Sequence, residues 1–113
     1  MTSRIAQWTL DVQDVDRMAA FWSRVLGYRV DPDDDGPGVH LRGEDFSVWL
    51  QPCAGPKVGK NRNHPDLRTD DVDAEVERVL GLGATRRDVG QTGEEGFVVL
   101  ADPEGNEFCI LRG

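Results

Sequence analysis

The chain has 113 residues, 38% of them apolar and 30% charged, the composition of a single soluble globular domain rather than a disordered segment. Its 21 acidic and 13 basic side chains leave a net charge of -8, which argues against a nucleic-acid-binding face. No apolar run approaches the roughly 20 residues that span a bilayer, so no membrane partner is expected.

The N-terminal residues carry no charged-then-apolar leader pattern, and two cysteines cannot build a disulfide framework. A cytoplasmic location with reduced Cys53 and Cys109 is the expectation. Along Ile5 to Val12, Trp8, Leu10 and Val12 alternate with Gln7, Thr9 and Asp11, the period of a strand with two unlike faces. Asp14 is placed to cap a helix whose stripe is Val15, Met18, Ala19, Trp22, Val25 and Leu26, and Gly27 is placed to end it. Tyr28 to Val30 reads as a short strand, and Asp31 to Gly38 as a turn rich in Asp, Pro and Gly. Val39 to Arg42 and Phe46 to Gln51 read as two further strands. Trp22 and Trp49 both fall in apolar patterns, and core packing is expected for each, with a dimer interface as the alternative for either.

Pro52 to Asn63 is a breaker-rich connection, after which the pattern restarts. His64 to Arg68 is a strand candidate. Asp70 or Asp71 caps a second helix carrying Val72, Val76, Val79 and Leu80, with Gly81 and Gly83 at its end. Ala84 to Val89 reads as a strand, 91–96 as a polar loop and Phe97 to Leu100 as an apolar strand. A strong turn follows at Asp102 to Asn106, and Glu107 to Leu111 is the last strand.

The order strand, helix, three strands therefore occurs twice. Asp14-Val15-Asp16 recurs as Asp71-Val72-Asp73, Leu26-Gly27 as Leu82-Gly83, and Gly43-Glu44-Asp45-Phe46 is echoed by Gly105-Asn106-Glu107-Phe108. The division expected is 1–52 and 63–113, joined by 53–62. Units this small cannot bury a stable core alone and must pack, within the chain or between chains.

Two such units, with Phe21-Trp22 and Leu26-Gly27-Tyr28 on the first helix and the hairpin Asp102-Pro103-Glu104-Gly105-Asn106 before the last strand, resemble the vicinal oxygen chelate superfamily. That superfamily includes glyoxalase I, bleomycin resistance proteins and extradiol dioxygenases. Lys60-Asn61-Arg62-Asn63-His64 is similar to a small glyoxalase-like subgroup. The resemblance implies an α+β fold of two βαβββ units, an open β-sheet cup with the helices outside, and dimerisation in short members. It also implies where a divalent metal would sit. The first-strand positions are Gln7 and His64, seven residues before each capping Asp. On the last strand the position is Cys109, where metalloenzymes of the family usually carry Glu. On the fourth strand the family register gives Val48, whereas the internal repeat gives Ser47. Lacking carboxylates there, the chain is expected to bind no metal, with Gln7 and His64 as the candidates should zinc, nickel or manganese be used.

Strand alternation turns Gln7, Thr9 and Asp11 to the cup, and likewise His64, Asp66 and Arg68, joined by Cys109 and Leu111. Phe46, Val48 and Leu50 would supply apolar wall if Val48 faces inward. Lys57, Lys60 and Arg62 form a basic cluster on the middle connection, able to attract an anion or merely to solvate a hinge. Asp31, Asp33, Asp34 and Asp35 lack the spacing of a calcium loop. Two functions remain: a metal-independent binder of a small polar or anionic molecule, Arg68 gripping its anionic oxygens, or a metal-dependent glyoxalase-type lyase or isomerase. A homodimer is expected for either, because small open sheets leave edges exposed.

Overall fold

A computed structural model describes residues 2–88 and 95–112. The chain forms two compact units, Met1–Pro56 and Lys57–Gly113. In the first, strand β1 (Gln7–Val12) leads to helix α1 (Val15–Leu26), then β2 (Arg29–Val30), β3 (Val39–Arg42) and β4 (Ser47–Pro52). In the second, β5 (Asp66–Leu67) leads to α2 (Val72–Leu82), then β6 (Thr85–Arg86), β7 (Phe97–Ala101) and β8 (Glu107–Leu111). The sheets share one topology, β1-β4-β3-β2 and β5-β8-β7-β6, with the first and last strands of each unit parallel and the rest antiparallel. Both units are thus βαβββ, each a mixed four-stranded sheet with one helix. Among the described residues no helix is long and apolar enough to cross a membrane.

Local chemistry accounts for the helix ends. Asp14 accepts a hydrogen bond from Arg17 N at 3.1 Å, and Asp71 does the same for Ala74 N at 3.1 Å, each satisfying a donor that the first helical turn leaves free. Gly27 closes α1 at φ 70°, a left-handed conformation that favours glycine. Helix α2 runs through Gly81 and stops at Gly83.

The inner face of α1 buries Met18, Ala19, Phe21, Trp22 and Val25. Trp8 on β1 meets Trp22 edge to face, ring centroids 5.5 Å apart, so Trp8, Leu10 and Val12 define the helix-covered side of the first sheet. In the second unit Val76 and Val79 of α2 are buried, as are Leu100, Phe108 and Ile110 of the sheet.

Several expected strands are shorter. Strand β5 covers only Asp66–Leu67, because Pro65 has no N–H to donate, although its carbonyl still accepts from Cys109 N at 3.0 Å. Strand β4 begins one residue late and includes Pro52. Strand β6 is Thr85–Arg86; Val89, and residues 91–94 of the expected polar loop, lie outside the described residues. The acidic turn at Asp31 to Gly38 is a fastener. Asp31 accepts from Arg42 Nε at 2.9 Å, and Asp34 from the backbone N of His40 at 2.7 Å, with His40 Nδ1 also 2.9 Å away. These bonds tie the turn to β3. They hold both carboxyls below the ordinary range: the Asp33 N–H and then Arg42 act on Asp31, and the His40 N–H and ring act on Asp34.

Candidate functional site

Each sheet has one side under its helix and one side open, and side chains on paired residues share a side. In the first unit β1 pairs with β4 as Gln7↔Ser47, Trp8↔Val48, Thr9↔Trp49, Leu10↔Leu50 and Asp11↔Gln51. Gln7, Thr9 and Asp11 are on the open side, as alternation from Trp8 requires, and all three are exposed. Val48 and Leu50 are not on it. They stand in register with Trp8 and Leu10 and are wholly buried on the helix side. The apolar wall expected from Val48 and Leu50 is therefore corrected: β4 presents Ser47, Trp49 and Gln51 instead. A one-residue slip in an assumed register moves every side chain to the opposite face, and the family register carried such a slip.

Thr9 faces Trp49 as Asp66 faces Cys109, so Trp49, not Ser47, is the counterpart of Cys109 in the repeat. The two-residue difference keeps the face and changes the chemistry. Trp49 is only partly buried and is not core as expected. Its ring lies 4.5 Å from that of His40 between centroids, tilted by 39°, and its Nε1 donates to Gln51 Oε1 at 3.2 Å. Gly38 makes room for this ring; a β-carbon there would sit 2.8 Å from the Leu50 carbonyl oxygen and inside the indole.

The open side of the second sheet is built by β5, β7 and β8, with Asp66 paired to Cys109, Val99 to Cys109, and Phe97 to Leu111. The hairpin that aligns β7 and β8 is pinned by Asp102, 2% exposed, which accepts from Glu104 N at 3.0 Å and Asn106 N at 2.9 Å and holds the Asn106 amide. A pocket of about 330 Å³ opens on this side. Phe97, Val99 and Leu111 form its apolar wall; His64, Asp66 and Cys109 form a polar floor; Lys60 and Glu107 complete the lining.

On the floor, His64 Nδ1 lies 3.3 Å from Asp66 Oδ1 and 4.0 Å from Cys109 Sγ. Burial pushes the Cys109 thiol up, the Asp66 carboxylate adds to that, and the Lys60 ammonium opposes it. The thiol is thus a protonated, weakly nucleophilic group at neutral pH. Both neighbours meet the same ring nitrogen of His64. A thiol-imidazole-carboxylate relay needs the two nitrogens to be engaged separately, so this is not a nucleophile-base-acid set.

Glu107, which sequence reasoning left aside, anchors the segment in front of the pocket. Its Oε1 accepts from Asn61 N at 2.9 Å and its Oε2 from Lys57 Nζ at 3.1 Å. Lys57 also donates to the Gly59 carbonyl. Burial alone would raise the Glu107 carboxyl, but the Asn61 N–H and the Lys57 ammonium outweigh it and hold it below its ordinary value. The basic cluster is thereby divided. Lys57 is spent on Glu107, Lys60 lines the pocket, and Arg62 is exposed on the connection. Arg68 stands beyond the end of β5, exposed and outside the pocket lining.

Among the described residues, His64, Asp66 and Cys109 are the one cluster of metal-ligand types, with ligand atoms within 4.8 Å of one another. A single carboxylate beside a protonated thiol does not fit a hard, oxygen-seeking ion such as Mn(II). An imidazole, a carboxylate and a thiolate would fit zinc, once the thiol had lost its proton.

Residues 7–111 match the family model described as glyoxalase-like domain. No curated protein matches the chain significantly. Among solved structures, a glyoxalase/bleomycin resistance protein/dioxygenase family enzyme from Burkholderia phytofirmans PsJN has 20% identity and a TM-score of 0.72, with 96% of this chain and 97% of that one covered. The fosfomycin resistance protein FosX from Mesorhizobium loti has 21% identity and a TM-score of 0.75, over 100% and 94% of the two chains. A mutant of FosX from Listeria monocytogenes, complexed with Mn(II) and 1S,2S-dihydroxypropylphosphonic acid, has 19% identity and a TM-score of 0.78, over 100% and 92%. At these identities the likeness carries the fold and nothing about the ligand.

Proposed function

The chain belongs to the glyoxalase-like domain family of the vicinal oxygen chelate superfamily, and we propose that it binds a small polar or anionic molecule on the open face of its sheet, without a metal. The observation that supports this reading is the pocket of about 330 Å³ in the second unit, a mostly apolar surface carrying a few convergent polar groups, the composition of small-molecule sites generally. Asp66 and His64 supply hydrogen-bonding groups to a ligand, and the buried Cys109 thiol serves as a small floor residue. On the first unit, Gln7, Thr9 and Asp11 offer polar contacts on an equally open face beside Trp49.

The experiment is a thermal-shift screen of small metabolites and antibiotics, with each hit titrated into the wild type and into Val99→Trp, which fills the pocket. Hits that bind both proteins equally remove the pocket from the reading. A second reading, a metal-dependent lyase or isomerase, is favoured by the approach of His64, Asp66 and Cys109 to one another. Elemental analysis of protein purified without a metal-affinity step separates the two; stoichiometric zinc, nickel or manganese that His64→Ala removes would overturn the metal-free proposal. The reading includes a homodimer in the cytoplasm, supported by sheets that end in the edge strands β1, β2, β5 and β6. Light scattering that gives a monomer at micromolar concentration would refute the dimer.

A further inference from the structure

The charges around the second-unit pocket are unequally satisfied, and that inequality bears on what enters it. Glu107 lines the pocket but already accepts from Lys57 and Asn61 N. Asp66 lies against the His64 ring. Lys60 is different. Its ammonium makes one long contact, 3.4 Å to the carbonyl of Asn61, and no ion pair among the described residues. It lies close enough to Cys109 to act on that thiol electrostatically. Its backbone is also confined, because the residues on both sides of it, Lys57 and Asn61, are fastened to the buried Glu107. Lys60 is thus an exposed cation on an anchored segment, lining the same pocket as Phe97, Val99 and Leu111, and is available as a counter-charge.

From this, and resting on the reading of the pocket as the binding site, we infer that the ligand is a small amphipathic anion. Its apolar body lies on Phe97, Val99 and Leu111, and its carboxylate, phosphonate or similar oxygen head meets Lys60. Neither feature alone would select such a molecule. A neutral apolar compound gains nothing from the ammonium, and a hydrophilic anion leaves the wall wet.

The probes are phenylacetate, phenylphosphonate, phenylacetamide and phenethylamine, titrated calorimetrically into the full chain. Molecules of this size reach dissociation constants on the order of 1 mM or somewhat tighter. The two anions are expected to bind about tenfold tighter than the amide, the equivalent of one charge-assisted hydrogen bond. Lys60→Met should erase that preference, and Lys60→Arg should retain it. Val99→Trp should abolish binding of all the probes that bind. Equal affinity for anion and amide, or a preference that survives Lys60→Met, overturns the anionic class and leaves the pocket reading standing. Tighter binding of phenethylamine overturns it in favour of a cation on Asp66. Binding that Val99→Trp leaves intact, or no binding of any probe up to about 10 mM, overturns the pocket reading itself.

Discussion

Replacing Glu107 with Gln isolates the contact that ties the 57–61 segment to the second sheet. The side chain is 5% exposed, and its two oxygens receive one backbone N–H and one ammonium. Gln keeps an acceptor for the Asn61 N–H but loses the charge facing Lys57, which is itself only 16% exposed. A hydrogen bond between charged groups contributes about 1.5–3 kcal/mol, and Lys57 retains the Gly59 carbonyl, so a loss of roughly 1.5–2.5 kcal/mol is expected near neutral pH. For a domain of this size that lowers Tm by about 6–10 °C. The pH dependence gives a second readout. The folded-state carboxyl of Glu107 lies below its ordinary value, so its contribution is fully present above the ordinary glutamate range. It is lost as pH falls through the folded value. Urea denaturation of wild type and variant should therefore show a stability gap that is constant around neutrality and closes as pH drops below the glutamate range. Other carboxylates titrate in both proteins and cancel in the difference. A variant as stable as wild type near neutral pH, or a gap that persists in acid, would refute the account of Glu107 as a charged anchor.

Three further outcomes test the geometry. Val48→Asp should abolish folding, since it buries an unpaired charge under α1, whereas Ser47→Asp on the open side should fold; a stable Val48→Asp protein by circular dichroism would invert the face assignment of β4. Gly38→Ala should cost about 1–3 kcal/mol in chemical denaturation, because the new methyl meets both the Trp49 ring and the Leu50 backbone; a neutral result would mean that Trp49 is free to leave. Iodoacetamide should alkylate exposed Cys53 first, and modification of buried Cys109 should accelerate only above the usual thiol range; equal rates at neutral pH by mass spectrometry would contradict the sheltered floor.

What could be read from residues alone follows the reach of the interactions. The helix ends rest on contacts three to five residues apart, so Asp14, Gly27 and Asp71 announce themselves. The faces of β1 were legible because Trp8, Leu10 and Val12 alternate with polar residues. Strand β4 reads Ser-Val-Trp-Leu-Gln, in which Val48, Trp49 and Leu50 are all apolar, so composition does not mark the inner face. Only the pairing with β1, some forty residues away in sequence, decides it. Glu107 was missed for the same reason. Its partner Lys57 is 50 residues distant, and nothing local distinguishes it from a surface carboxylate. Arg68 was placed by extending an alternation that stops at Leu67. The role of the acidic turn is likewise not local: Asp31 and Asp34 accept bonds from Arg42 and His40 of β3, across the tip of the loop.

The parallel contact between first and last strands also constrains the order in which each unit can assemble. Among the described residues, the only sheet neighbour of β1 is β4, and the only one of β5 is β8. The opening strand of each unit therefore stays without a ladder until the closing strand is available, and the antiparallel pairs β2–β3–β4 and β6–β7–β8 supply the short-range contacts that can form earlier. Closing the long loop carries most of the entropy cost, which places the rate-limiting step of each unit at the docking of its first strand. Because each sheet is contiguous in sequence, a chain emerging from a ribosome can pair β1–β4 once Pro52 is out, before the strands of the second sheet have emerged.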